Sequence, residues 1–386
     1  MIETIKDYLA RHEGEMLALL EELVLTNSHT PNKAGTDAVA TIMTKAAETA
    51  GFSVRREARA QVGDNIVIET KPRTQGGKGV LLCGHMDTVF PPEMGFNTFT
   101  RKGDTLYGPG VADMKSGLVA GLYALKALDA AGLLKDMPVA FICNSDEETG
   151  STHSSELILQ EAHKSDVALV MEGAGDNGDL VIGRKGRIAF DLVIKGKAAH
   201  AGSAGPDKSS AILELARQIQ QLEALNDPQA GISLNVGHIE GGTGANTVSE
   251  HAAAVVEFRY RDEDSRTRMW DTIQRQAANP QTNGTECTLA IRTMRPAMPT
   301  NDAILGLYAL VEGIGRELGI PVTSMQRGGG SDANFIAQTG IPVLDGLGPI
   351  GGKLHTTDEY LLADTILPRT LLAAVSIRKA FETYCK

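Results

Sequence analysis

The hydrophobic pattern changes period twice along the chain, and this limits the possible folds more than any other feature. Before about residue 183, short continuous apolar runs stand at Asn65–Glu69, Gly79–Cys83, Val139–Cys143 and Val167–Met171. Helix-like stretches separate several of them, at 37–50 and most clearly at Ser116–Ala131. Runs that are apolar at every position need cover on both faces. Alternating with helices, they predict a mostly parallel sheet flanked by helices, an α/β fold. From Arg187 the pattern alternates strictly: Arg187–Lys195 reads RIAFDLVIK, as a half-buried strand does. A helix over 208–225, strands at Ile232–Ile239 and Ala252–Arg259, a helix at Arg266–Gln276 and a strand at Cys287–Met294 follow. The order β-α-β-β-α-β is the ferredoxin-like split motif. The first pattern then resumes, with a helix from Ala303 and an apolar run at Ile341–Leu347. The expected organisation is one α/β domain of residues 1–183 and 297–386, with a ferredoxin-like domain of residues 184–296 inserted in it.

Bulk properties exclude several classes. A net charge of −11 leaves no general basic face for nucleic-acid phosphates or for an anionic membrane surface. Cys83, Cys143, Cys287 and Cys385 are scattered without a CxxC pair, so neither a disulfide framework nor a cysteine zinc site is predicted. The first 24 residues read as an amphipathic helix rather than a signal peptide, and no apolar run approaches ~18 residues. The expected compartment is the cytoplasm.

In open α/β sheets, ligands bind beyond the carboxyl ends of the strands. Four predicted strands here run into residues of metal-ligand type. GVLLC leads to His85 and Asp87, VAFIC to Glu147 and Glu148, VALVM to Glu172, and IPVLDGLG precedes His355. A fifth ligand candidate, Asp113, lies in the glycine-rich loop that opens the 116–131 helix. Neutral imidazole and carboxylate oxygen both suit zinc. His85, Asp113, Glu148, Glu172 and His355 would give two histidines and three carboxylates, the number two ions need if one carboxylate bridges them. Asp87, two residues from His85, faces the same side of a strand and could fix its tautomer. Adjacent Glu147 and Glu148 cannot easily both face one metal, so one can bind while the other serves as general base. Any one of these acids taken alone reads better as a helix cap or solvated loop residue, and a lone histidine as structural. Five ligand types at the carboxyl ends of one sheet favour a metal centre.

The same residues carry a signature. GHMDTV, GPGVADMKSG, SDEETGS, MEG, KAAHAG, GGTGANTVSE, GGGSDANF and HTTDEY follow one another over essentially the whole chain. In order and approximate spacing they resemble the aminoacylase/glutamate carboxypeptidase/dipeptidase family of co-catalytic zinc metallopeptidases. Within it, GGGSDANF, Arg295-Pro296 and Phe258–Tyr260 look most like the glucarpidase-type glutamate carboxypeptidases. The resemblance implies two Zn2+ per chain, with Co2+ or Mn2+ as substitutes, and Asp113 bridging them. His85 and Glu172 would complete one site, Glu148 and His355 the other. Glu147 would be the general base and Asp87 would orient His85. The inserted domain would be a dimerisation domain, its His200 reaching the active site of a second copy. Asn246, Arg259, Arg295 and Gly329 would meet the substrate. The implied activity is carboxypeptidase-like hydrolysis of an amide or peptide bond beside an amino acid with a free carboxylate, C-terminal glutamate among the cases. N-acyl-amino-acid deacylase and di- or tripeptidase remain alternatives within the family, and a non-catalytic metal-binding protein outside it. One departure concerns glutamate. Where the glutamate carboxypeptidases carry a lysine shortly before the inserted domain, this chain reads Asn177-Gly178-Asp179-Leu180, with Arg184 and Lys185 the nearest positive charges.

Overall fold

The computed structural model describes residues 1–385. They form two compact units, residues 1–183 with 300–327 and 331–385, and Arg184–Pro299 with Gly328–Gly330.

The first unit is built on a six-stranded sheet in the order Ser53–Glu57, Asn65–Glu69, Val139–Asn144, Val80–His85, Val167–Val170, Val343–Leu344. The last four strands are parallel, and the first two add an antiparallel edge. Every residue of Val80–His85 and Val139–Asn144 is buried, which explains their unbroken apolar runs. Helix Ser116–Ala130 is buried along most of its length and packs against the C-terminal helix Ile366–Tyr384. Helix Lys33–Thr49 begins ahead of the expected residue 37 because the Asn32 side chain accepts from the Gly35 amide at 3.2 Å and caps it. The N-terminal stretch breaks at His12 into helices Ile2–Arg11 and Glu13–Leu25. There the His12 ring stacks on Tyr8, and its Nδ1 lies 2.7 Å from the Tyr8 carbonyl. Among the described residues no helix is long and apolar enough to cross a membrane. The four cysteines are free, Cys83 and Cys143 being buried.

The second unit is an antiparallel sheet in the order Ser233–Gly241, His251–Tyr260, Gly186–Lys195, Glu286–Arg295. Helices Ala211–Glu223 and Glu263–Ala278 complete the β-α-β-β-α-β order. Alternate residues Ile188, Phe190, Leu192 and Ile194 enter its core with Ala252, Ala254, Val256 and Phe258, and Trp270 stacks on Phe258. The first helix starts at Ala211 rather than 208 because Ser210 caps it, its Oγ accepting from the Leu213 amide at 3.3 Å.

Candidate metal centre

Parallel strands end on one side of a sheet, so their carboxyl ends deliver side chains to one place. His85 is the last residue of its strand and pairs in register with Asn144, the last of the neighbouring strand. Glu147 and Glu148 follow Asn144 in the short 3-10 helix Glu147–Thr149, and Glu172 follows the strand ending at Val170. Asp113 comes from the loop before helix Ser116–Ala130. The first turn of that helix approaches the Glu172 segment so closely that a Cβ on Gly117 would sit 1.9 Å from the Met171 carbonyl oxygen. Glycine is required there by contact, not by turn geometry. His355 enters from a loop in which it adopts φ +62°, a left-handed conformation that costs a non-glycine residue roughly 1–3 kcal/mol and recurs at functional sites.

All five ligand candidates meet within the first unit. His85 Nε2 lies 3.1 Å from Asp113 Oδ1 and 3.6 Å from Glu172 Oε1. His355 Nε2 lies 3.2 Å from Asp113 Oδ2 and 3.2 Å from Glu148 Oε2. Each oxygen of Asp113 therefore faces a different imidazole. Ligand atoms of His85, Asp113 and Glu148 lie within 4.8 Å of one another, and so do those of His85, Glu147 and Glu172.

The electrostatics follow from crowding. Burial, then the Asp113 charge, pushes Glu148 up to about 8; burial also drives Glu172 well above the usual carboxylate range. Hydrogen bonds to Asp113 and Glu148 push His355 up to about 10. Burial opposes the charge on His85, yet hydrogen bonds to Asp113 and Asp87 raise it well above an ordinary imidazole. Three carboxylates this close repel one another, and a divalent cation relieves that repulsion. The donors are oxygen and imidazole nitrogen with no thiolate, which suits zinc, cobalt or manganese. The residues present fit such a group.

Asp87 is fully buried and holds several parts of the site together. Its Oδ1 accepts from the Glu147 amide at 3.1 Å, and its Oδ2 from the Glu148 amide at 3.2 Å and the Thr30 hydroxyl at 2.6 Å. His85 Nδ1 consequently lies nearer the Asp87 carbonyl, at 3.0 Å, than the Asp87 carboxylate, at 3.4 Å. The role of Thr30 was not legible in the sequence, because nothing local marks a threonine 57 residues from its partner.

The candidate substrate residues lie in the second unit. Arg259 pairs with Glu257 at 2.8 Å and donates to the Gly328 carbonyl at 2.7 Å. Arg184 donates to the Gly329 carbonyl at 3.0 Å, and the Arg295 side chain lies against Gly330. Three arginines thus surround one glycine triplet, Arg184 being a member the motif comparison did not single out. His200 is exposed on the two-residue strand Ala199–His200, where its Nδ1 accepts from the Gly202 amide at 3.2 Å. Exposed Asn246 accepts at its carbonyl from the Ala201 amide at 2.9 Å. In the first unit, Asp179 takes the Thr323 hydroxyl and the Asn177 amide, so it closes a turn.

Comparisons with known proteins give a consistent picture. Residues 81–378 match the model of peptidase family M20/M25/M40. Carboxypeptidase G2 of Pseudomonas sp. (strain RS-16) is 31% identical over 369 residues, covering 94% of this chain and 88% of that protein. Succinyl-diaminopimelate desuccinylase of Burkholderia cenocepacia (strain HI2424) is 30% identical, covering 89% of this chain and 93% of that one. In structure, a tripeptidase from Staphylococcus aureus subsp. aureus Mu50 superposes with a TM-score of 0.78 at 24% identity, covering 96% of this chain and 99% of its own.

Proposed function

The chain belongs to peptidase family M20/M25/M40 and is a metallopeptidase-type hydrolase; from that premise we propose that it is a two-zinc, carboxypeptidase-like enzyme cleaving an amide or peptide bond whose amine side bears a free carboxylate. The observation that carries the two-ion reading is the division of Asp113, one oxygen toward His85 and the other toward His355. In this reading Asp113 would be shared, His85 and Glu172 would hold one ion, and Glu148 and His355 would hold the other, with Co2+ or Mn2+ as substitutes. When bound, the ions would acidify a water and polarise the scissile carbonyl. Glu147 takes the proton of the attacking water and passes it to the leaving amine. His200 of a second copy donates to the developing oxyanion. Arg259 and Arg295 take the substrate carboxylate, for which the guanidinium fork is suited. Asn246 and the Gly329 backbone line the substrate.

The test compares N-acyl amino acids, dipeptides and folate-like conjugates, each as the free acid and the C-terminal amide. A charge-assisted arginine–carboxylate hydrogen bond contributes roughly 1.5–3 kcal/mol. The amide is therefore expected to lose about one to two decades in kcat/KM, and Arg295→Ala to lose most of that preference. Equal rates for acid and amide in the wild type would defeat the carboxylate clamp; a preference that survives Arg295→Ala would move it to Arg259. A second reading, removal of an acyl group from an amino acid, is favoured by the 30% identity to a desuccinylase and would appear in the same panel as a preference for N-acyl amino acids.

The homodimer is tested separately. Chains carrying His200→Ala and chains carrying Glu147→Gln are each expected to be nearly inactive, and to recover partial activity when mixed. No recovery, or an active monomer on sedimentation at assay concentration, would remove His200 from the neighbouring site.

A further inference from the structure

Four residues beyond His355, Glu359 is completely buried. Its carboxylate accepts three main-chain N–H groups from the loop that carries Asp113. Oε1 accepts from Ala112 at 2.8 Å and Asp113 at 3.0 Å, and Oε2 accepts from Gly110 at 3.2 Å. Such amides, lying outside regular helix or sheet pairing, need an acceptor from elsewhere. One carboxyl group answers three of them through its two oxygens. The opposite end of the loop is tied as well. Buried Lys115 donates to the Leu23 carbonyl at 2.8 Å and the Thr26 carbonyl at 3.0 Å. Close packing adds a third constraint, since a Cβ on Gly351 would lie 2.4 Å from the Ala112 Cβ.

We propose that Glu359 is a positioning residue for the metal centre: by holding the main chain of residues 110–113 it sets the two Asp113 oxygens against His85 and His355, and through them the affinity for the paired ions. This rests on Asp113 being the shared ligand. The short segment from His355 to Glu359 thereby carries one ligand and the support of another, so the two sides of the centre are mechanically linked through five residues of chain. Glutamine at 359 keeps the shape but offers a single oxygen, and its NH2 must face one of the three N–H donors.

The experiment titrates metal-free chain with Co2+, following bound ions by equilibrium dialysis and the visible absorption of the cobalt. Wild type is expected to take up two ions. Glu359→Gln, checked as folded by circular dichroism, is expected to bind them about ten- to a hundredfold more weakly, as loss of a ligand's supporting partner does, with an altered visible spectrum. Glu161→Gln, which disrupts the buried pair with Arg73, controls for lost stability and is expected to leave isotherm and spectrum unchanged. A folded Glu359→Gln chain with the wild-type isotherm and spectrum would overturn the role of Glu359 and leave the two-ion reading standing. A wild type that takes up no second ion would overturn both. Should the variant not fold, amide hydrogen exchange in metal-free wild type decides: slow exchange at Gly110, Ala112 and Asp113 is expected, and exchange at exposed-loop rates would overturn the proposal.

Discussion

Glu147→Gln is expected to retain its metal and to lose at least about a hundredfold in kcat, the effect of removing a general base. Glu148→Gln is expected instead to lose metal. The two residues are neighbours, yet their surroundings separate them. Both amides rest on the Asp87 carboxylate, which starts a 3-10 turn in which successive side chains diverge by roughly 120°. Glu148 thereby reaches the His355 side, where its side chain is 6% exposed and 3.2 Å from the imidazole. Glu147 comes within reach of His85 and Glu172. Metal content and turnover measured on both variants distinguish the roles. Metal loss in Glu147→Gln with metal retained in Glu148→Gln would reverse them.

Asp113→Asn is expected to be the most damaging single change, abolishing measurable turnover and binding of both ions at micromolar metal. A carboxylate can serve two cations through two oxygens; a carboxamide offers one oxygen and one donor group. Whichever way the amide turns, its NH2 faces either His85 or His355, each a little over 3 Å away. Glu172→Gln, by contrast, is expected to weaken chiefly the ion on the His85 side. Metal analysis after dialysis against a limiting free-zinc buffer checks both. Two tightly held ions in Asp113→Asn would show that this carboxylate is not shared.

Much of this arrangement was legible in the sequence because parallel strands buried on both faces leave unbroken apolar runs. The candidate site residues stand where those runs stop: His85 after VLLCG, Glu147 and Glu148 just beyond VAFICN, Glu172 just beyond VALV. The ferredoxin-like order was legible for the opposite reason, since one-sided burial makes strands such as His251–Tyr260 alternate. What escaped was set by long-range contact. Ser53–Glu57 is a polar edge strand with no buried residue, and Val343–Leu344 is too short to show a period. The place of Val139–Asn144 between Asn65–Glu69 and Val80–His85 is a matter of crossovers that no local pattern encodes. Glu359, in a run of polar residues, looks like a solvated charge until the Asp113 loop closes over it. The grouping of Gly328–Gly330 with the inserted unit likewise depends on arginines far away in the chain.

The most direct test of the two-ion centre is anomalous scattering at the zinc edge from a crystal of the zinc-loaded wild-type chain. Two peaks are expected, each about 2.0–2.2 Å from a different oxygen of Asp113, one beside His85 and Glu172 and the other beside Glu148 and His355. A single peak, or two peaks of which either lies away from Asp113, would contradict it.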